Sequence, residues 1–225
     1  MIEIHALEGA HFRLPEAFVP PGEMAAIVAP NAACAREFVD LLLGLAEPRA
    51  GTVRLFGQLL GELDEAEKLA LRTRLGYAAQ LDGLIGHLAM LDNVVLSAQY
   101  HHRLDAASLE ARMRTLLGWC GWREDEARQA LLRRPEHASP FECAAAAWLR
   151  AVLCGPALLV CEDLFGGLAP EQRRHLINAS VAFLAEEPER ASVFVLVGDG
   201  LVEELQPTSM YYLTKRGDFR AESHP

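Results

Sequence analysis

The chain has 225 residues, 51% of them hydrophobic and 23% charged, which suits one globular domain with a sizeable core. A net charge of −10 and a pI of about 5.3 argue against a nucleic-acid partner, which needs a basic stripe to displace counterions. No apolar run reaches the ~20 residues that span a bilayer. The opening "MIEIHALEGAHFRLPE" lacks the basic start and apolar stretch of a signal peptide, so the expected place is the cytosol. The five cysteines, Cys34, Cys120, Cys143, Cys154 and Cys161, are odd in number, and no two form a C-x-x-C pair. They read as buried reduced thiols, with neither a disulfide framework nor a metal site.

In chain order, strands are expected over Ile2–Leu7 and Met24–Ala29. The second leads through a Pro-Asn turn into a helical pattern carried by Leu41, Leu42 and Leu43. This strand–turn–helix frame is the setting of the phosphate-binding pattern G-x-x-x-x-G-K-[S/T]. Here Ala29 and Cys34 stand at the glycines, Ala35 at the lysine and Arg36 at the hydroxyl residue, so every chemical position is changed inside an intact frame. A further strand is expected at Thr52–Phe56. From about Asp92 to Leu153 the sequence turns Ala-, Leu- and Arg-rich, with helical spacing in "LDNVVLSAQYHHR", "DAASLEARMRTLLGWC" and "EDEARQALLRR". Strands return at Ala157–Cys161, apolar at every position as if covered on both faces, and at Ser192–Val197, which repeats that pattern after its serine. The helix-length spacer Pro170–Glu186 between them suits a β-α-β crossover. The polar end "RGDFRAESHP" is expected to fray.

This order resembles the ATPase subunit of ABC transporters over nearly the whole chain. Leu45, Pro48, Gly51 and Gly57 fall where that family has L-x-x-P-x-x-G and a later turn glycine. "LGYAAQ" looks like the strand that ends in the Q-loop glutamine, here Gln80, and "LRAVLCGPALLVCEDLFGGLAP" looks like the passage through the Walker B strand. The resemblance implies an α/β, P-loop NTPase-like ABC ATPase fold, with a mixed β core and an inserted α-helical subdomain. One domain over 1–225 is expected, with the core at about 1–80 and 155–225 and the helical part at about 81–154. Within the family, "QLDGLIGHLAMLDNV" and "EDLFGGLAP", with Phe165 after the acids, are most similar to ATPases of MCE-type lipid transport systems.

Each station departs from what its chemistry requires. Ala29, Ala32, Ala33 and Cys34 carry a Cβ where glycines let backbone N–H groups approach phosphate. Ala35 has no charge, Arg36 would repel Mg²⁺, and Glu37 would repel phosphate. What remains for an anion near Asn31 is the helix N-terminus, and the plain alternative is a joint kept for packing. Glu162 and Asp163 invert the Walker B order. They read either as a vestigial acidic site or as a polar strand end bonded to neighbouring backbone. Of the signature, only Ser139 survives among Ala138, Ser139, Pro140, Phe141 and Glu142, and Ser139-Pro140 still starts a helix well. Ala169 replaces the D-loop aspartate, and Gly198, followed by Asp199, replaces the switch histidine. His11 and Phe12 are candidates to stack on adenine, with a core role the alternative for Phe12. Cys34 is open to a reactive-thiol reading at a helix start or to a packing one.

The combination implies a catalytically inactive ABC ATPase-like subunit: a structural or coupling part of a membrane transport complex, with lipid-related cargo. Its partners would be an integral membrane permease and, across a dimer, a homologue or a second copy. It would sit in the cytoplasm, on the inner face of the cell membrane, with no resident cofactor. Two other readings stay open. One is a residual ATP- and Mg-dependent site built from Glu162, Asp163, Gln80 and Arg36. The other is a soluble interaction protein reusing the fold.

Overall fold

The computed structural model describes residues 1–79, 83–101 and 105–215, so Gln80 and the polar tail lie outside the described residues. An N-terminal hairpin of β1 (Ile2–Glu8) and β2 (Phe12–Val19) is followed by β3 (Met24–Ala29), α1 (Ala32–Leu42), β4 (Ala50–Leu55) and the short β5 (Gln58–Leu59). Next come α2 (Glu65–Arg72) and β6 (Leu75–Ala79). Among the described residues four α-helices then run without an intervening strand: α3 (Met90–His101), α4 (Ala106–Trp119), α5 (Glu124–Leu132) and α6 (Pro140–Val152). The chain returns through β7 (Leu158–Glu162), α7 (Pro170–Ala185), β8 (Ala191–Val197), α8 (Val202–Leu205), β9 (Ser209–Tyr212) and β10 (Thr214–Lys215).

These strands form two sheets. One is antiparallel, in the order β10-β2-β1-β4-β5; the other is parallel, in the order β6-β7-β8-β3-β9. Side chains alternate across the parallel sheet and split the core in two. Ala25, Ile27 and Ala29 of β3, Leu158 and Val160 of β7, and Val193 and Val195 of β8 face α1 and the antiparallel sheet. Ala26, Leu159, Cys161, Phe194 and Leu196 face the helices α3, α4, α6 and α7. Cover on both faces is why these strands read as unbroken apolar runs.

β2 was not anticipated because Pro15 interrupts it. Leu14 pairs with Leu7 and Glu16 with His5, while Ala6 between them has φ +47° and Pro15 has no N–H to offer. The same irregularity explains Gly51. It has φ +81°, and a Cβ there would stand 2.1 Å from the Ala6 carbonyl oxygen. On the helical side, Trp148 of α6 is fully buried and its Nε1–H donates to Ser180 Oγ at 2.9 Å; that hydroxyl donates in turn to Leu176 O at 2.8 Å. Buried Asn93 holds the approach to α3, accepting from Ile85 N at 2.6 Å and donating to Ile85 O and Ala89 O. Among the described residues no helix is long and apolar enough to cross a membrane.

Candidate functional site

Only Pro30 and Asn31 separate β3 from α1. The phosphate-binding pattern keeps its residues between the two glycine positions in a wrapping loop, but here Ala32, Ala33 and Cys34 are already helical. Alanines favour helix, and Asn31 caps it: its side-chain oxygen accepts the Cys34 N–H at 2.9 Å, and its carbonyl accepts the Ala35 N–H at 3.1 Å. The backbone donors at the second-glycine and lysine positions are therefore taken by Asn31, and the exposed start of the helix at Ala32 and Ala33 is what remains of the helix end expected to face an anion. Ala29, fully buried, accepts the Gly198 N–H at 2.9 Å.

The early helix start also redirects side chains. Ala35 is 1% exposed and packs in the core shared with Phe38 and Val39, not toward a ligand. Cys34 is fully buried, with its thiol 3.7 Å from the His11 carbonyl oxygen. Burial, and then the Glu37 charge, push that thiol upward, so the packing reading of Cys34 holds. Phe12 is buried edge-on to Phe38, with centroids 6.0 Å apart, and takes the core role.

Glu37 turns back to the β1–β2 turn. It accepts from the backbone N–H groups of Ala10 and His11, the latter at 3.0 Å, and from His11 Nδ1 at 3.1 Å. Burial alone would raise its carboxyl, but these hydrogen bonds outweigh it and hold the group below the usual range.

Arg36 reaches the end of β7. Its Nη1 lies 3.1 Å from the Tyr77 hydroxyl and 3.5 Å from Glu162 Oε2, and its Nε lies 3.2 Å from Asp40 Oδ1. Tyr77 also donates to Glu162 Oε2. Register makes this meeting possible: Ala79 pairs with Glu162 and Tyr77 with Val160, so Tyr77 and Glu162 emerge on the face toward α1. Burial, then the bond to Glu162, push the Tyr77 phenol well upward, keeping its proton for donation. Among the described residues Glu162 is thus bonded to side chains of α1 and β6 and not to neighbouring backbone, the plainer of the two sequence readings. Asp163, next along, has φ +44°, sends its N–H to Val195 O at 2.9 Å, and has its carboxyl raised by burial.

Sequence reasoning missed Tyr77 and Asp40. The i, i+4 spacing of Arg36 and Asp40 was a readable signal, whereas Tyr77 depended on strand register.

The remaining stations are local joints. Ser139 caps α6 in a reciprocal box with Glu142, at 3.2 and 2.7 Å, and Glu142 also pairs with Arg133 at 3.0 Å. Phe141 packs edge-on against Trp122 and near His175. The Ala169 N–H donates to Gln172 Oε1 at the start of α7, and Gly198 turns with φ +76°. Phe165 stacks on Phe194, centroids 5.4 Å apart, inside the helical-side core.

No family model matches the chain. It is 31% identical over 169 residues to the lipoprotein-releasing system ATP-binding protein LolD of Jannaschia sp. (strain CCS1), covering 75% of this chain and 70% of the relative. The chain belongs to the ABC transporter ATP-binding subunits. At 22% identity over 220 residues it also matches the sulfate/thiosulfate import ATP-binding protein CysA of Pseudomonas aeruginosa, across 89% of this chain and 63% of the relative. The fold agrees. A dimeric bacterial ABC transporter cassette superposes with TM-score 0.78 at 19% identity, over 95% of this chain and 94% of the other. The cbiO1 structure from Clostridium perfringens gives 0.76 at 14% identity, over 95% of this chain and 84% of the other.

Membership implies Mg-ATP at the β3–α1 turn, and the residues of this ABC subunit do not fit it. The wrapping loop is helix, the Cys34 and Ala35 N–H groups are bonded to Asn31, and Ala35 faces the core. The Arg36 guanidinium stands beside the carboxylate that a metal would need.

Proposed function

We propose that this chain is a catalytically inactive subunit of an ABC transport complex, a coupling part docked on an integral membrane permease. It would act on the cytoplasmic, inner face of the membrane and pair with a competent homologue or with a second copy. The observation that carries this reading is the closed β3–α1 turn: the Cys34 and Ala35 N–H groups, Arg36 and Glu37 are all engaged by the chain itself. The insert at about 81–154 would supply the face toward the permease. Lipid-related cargo is supported from two sides, by the short matches to MCE-type ATPases and by the lipoprotein-releasing role in the name of the LolD relatives. The residual-site reading needs Arg36 free to meet phosphate, but Arg36 and Glu162 neutralise each other. Calorimetric titration of the full chain with Mg-ATP, beside an intact ABC ATPase, tests this function. Absence of saturable heat at millimolar nucleotide is the expected result. Saturable micromolar binding would overturn the reading.

A further inference from the structure

The Arg36 guanidinium lies where α1, β6 and β7 converge, and it meets one oxygen from each. These are Asp40 Oδ1 at 3.2 Å, the Tyr77 hydroxyl at 3.1 Å and Glu162 Oε2 at 3.5 Å. Oxygens converging from separate elements, with two carboxylates among them, form the kind of donor set that a hard cation takes. Here the cation is already part of the chain. The Glu162 side chain is only 12% exposed, so its charge needs a partner close at hand. Its Oε2 has two, the Arg36 guanidinium and the Tyr77 hydroxyl. Mg²⁺ requires a near-octahedral oxygen shell at ~2.0–2.1 Å. Among the described residues no group of three or more His, Cys, Asp or Glu is arranged to hold a metal ion.

We propose that Arg36 is the built-in cation of this junction: it takes the place of a divalent metal between α1 and the carboxyl end of β7. The junction is then complete without metal and indifferent to chelators, and removing Arg36 uncovers a cation site on Glu162. This deepens the closed-site function, on which it rests, by naming what neutralises the acids.

The test uses the full chain without nucleotide and Tb³⁺ as the probe, with luminescence sensitised through the adjacent Tyr77 phenol. The wild type is expected to give no saturable luminescence and no shift of thermal midpoint with Mg²⁺ or EDTA. Arg36→Ser should gain a saturable signal, lost again in Arg36→Ser/Glu162→Gln. At a hundredfold excess over Kd, metal should raise its midpoint by about 5 °C. Arg36→Gln, which keeps the stem without the charge, serves where the serine variant does not fold. Saturable Tb³⁺ binding by the wild type that disappears in Glu162→Gln overturns the proposal. So do folded Arg36 variants that bind no more Tb³⁺ than the wild type. The two readings fail separately, since Mg-ATP heat in the wild type overturns the function and nucleotide-free metal binding overturns this inference.

Discussion

Glu37 on α1 and His11 in the β1–β2 turn are joined twice, by a backbone N–H at 3.0 Å and by the imidazole Nδ1 at 3.1 Å. With the Ala10 N–H also donating to it, one carboxylate fixes the hairpin of the antiparallel sheet to the helix that lies beneath it. A residue that reads as phosphate-repelling is, in the fold, a strut.

Glu37→Gln should cost about 1.5–3 kcal/mol at neutral pH, the range for hydrogen bonds to a charged group. The sign of its pH dependence follows from a folded carboxyl held below its unfolded value of 4.5. Its stabilisation is present above 4.5 and is lost as pH falls through the lower folded value. Urea melts of both proteins across the acid range should therefore converge at low pH; a constant gap would show that the charge is irrelevant.

Ala35→Lys is the substitution a motif reader would choose to restore nucleotide binding. Ala35 is 1% exposed in the core around Phe38, so the added stem and ammonium should destabilise by about 2–4 kcal/mol and confer no affinity for ATP. Thermal melts and calorimetry together decide it. A variant that is both stable and ATP-binding would mean the turn can open.

Gly51→Ala combines a strained φ of +81° with a backbone contact of 2.1 Å to Ala6 O. A loss of about 3 kcal/mol or more is expected, because neither the carbonyl nor the chain around it is a flexible side chain that can swing away. Gly57→Ala, with φ +82° but nothing within 4 Å of the added Cβ, isolates the strain and should cost less. Equilibrium unfolding of the pair separates conformation from collision.

Ser180→Ala leaves the indole N–H of Trp148 without its partner in a fully buried site. About 1–3 kcal/mol should be lost, and the tryptophan emission should change if the α6–α7 contact loosens. Unchanged stability would imply that another acceptor reaches Nε1.

Much of this was readable from spacing. The runs Ala157–Cys161 and Val193–Val197 are apolar at every position because helices cover one face and α1 with a second sheet covers the other, and Ser139-Pro140 is a cap by residue type alone. β2 was hidden by Pro15, whose missing N–H is tolerated because Ala6 opposite it leaves the ladder. β5 and β10 have only two residues each, too few for any period to show. At the site, the losses at Ala29, Cys34, Ala35 and Arg36 were plain from their side chains. Where Arg36 and Glu37 point instead was not, because it follows from the helix beginning at Ala32 and from the β6–β7 register. Both are tertiary facts, set by packing rather than by neighbours in sequence.

The Asn31 cap makes the present arrangement a valley with steep walls. A wrapping loop would need the first turn of α1 unwound, the Ala35 side chain taken out of the core, Arg36 parted from Glu162, and Glu37 released from the hairpin. Each step taken alone sacrifices an existing contact before any phosphate contact replaces it. On the proposed function, recovery of the family's chemistry from this chain therefore lies several coordinated substitutions away, with unstable proteins in between.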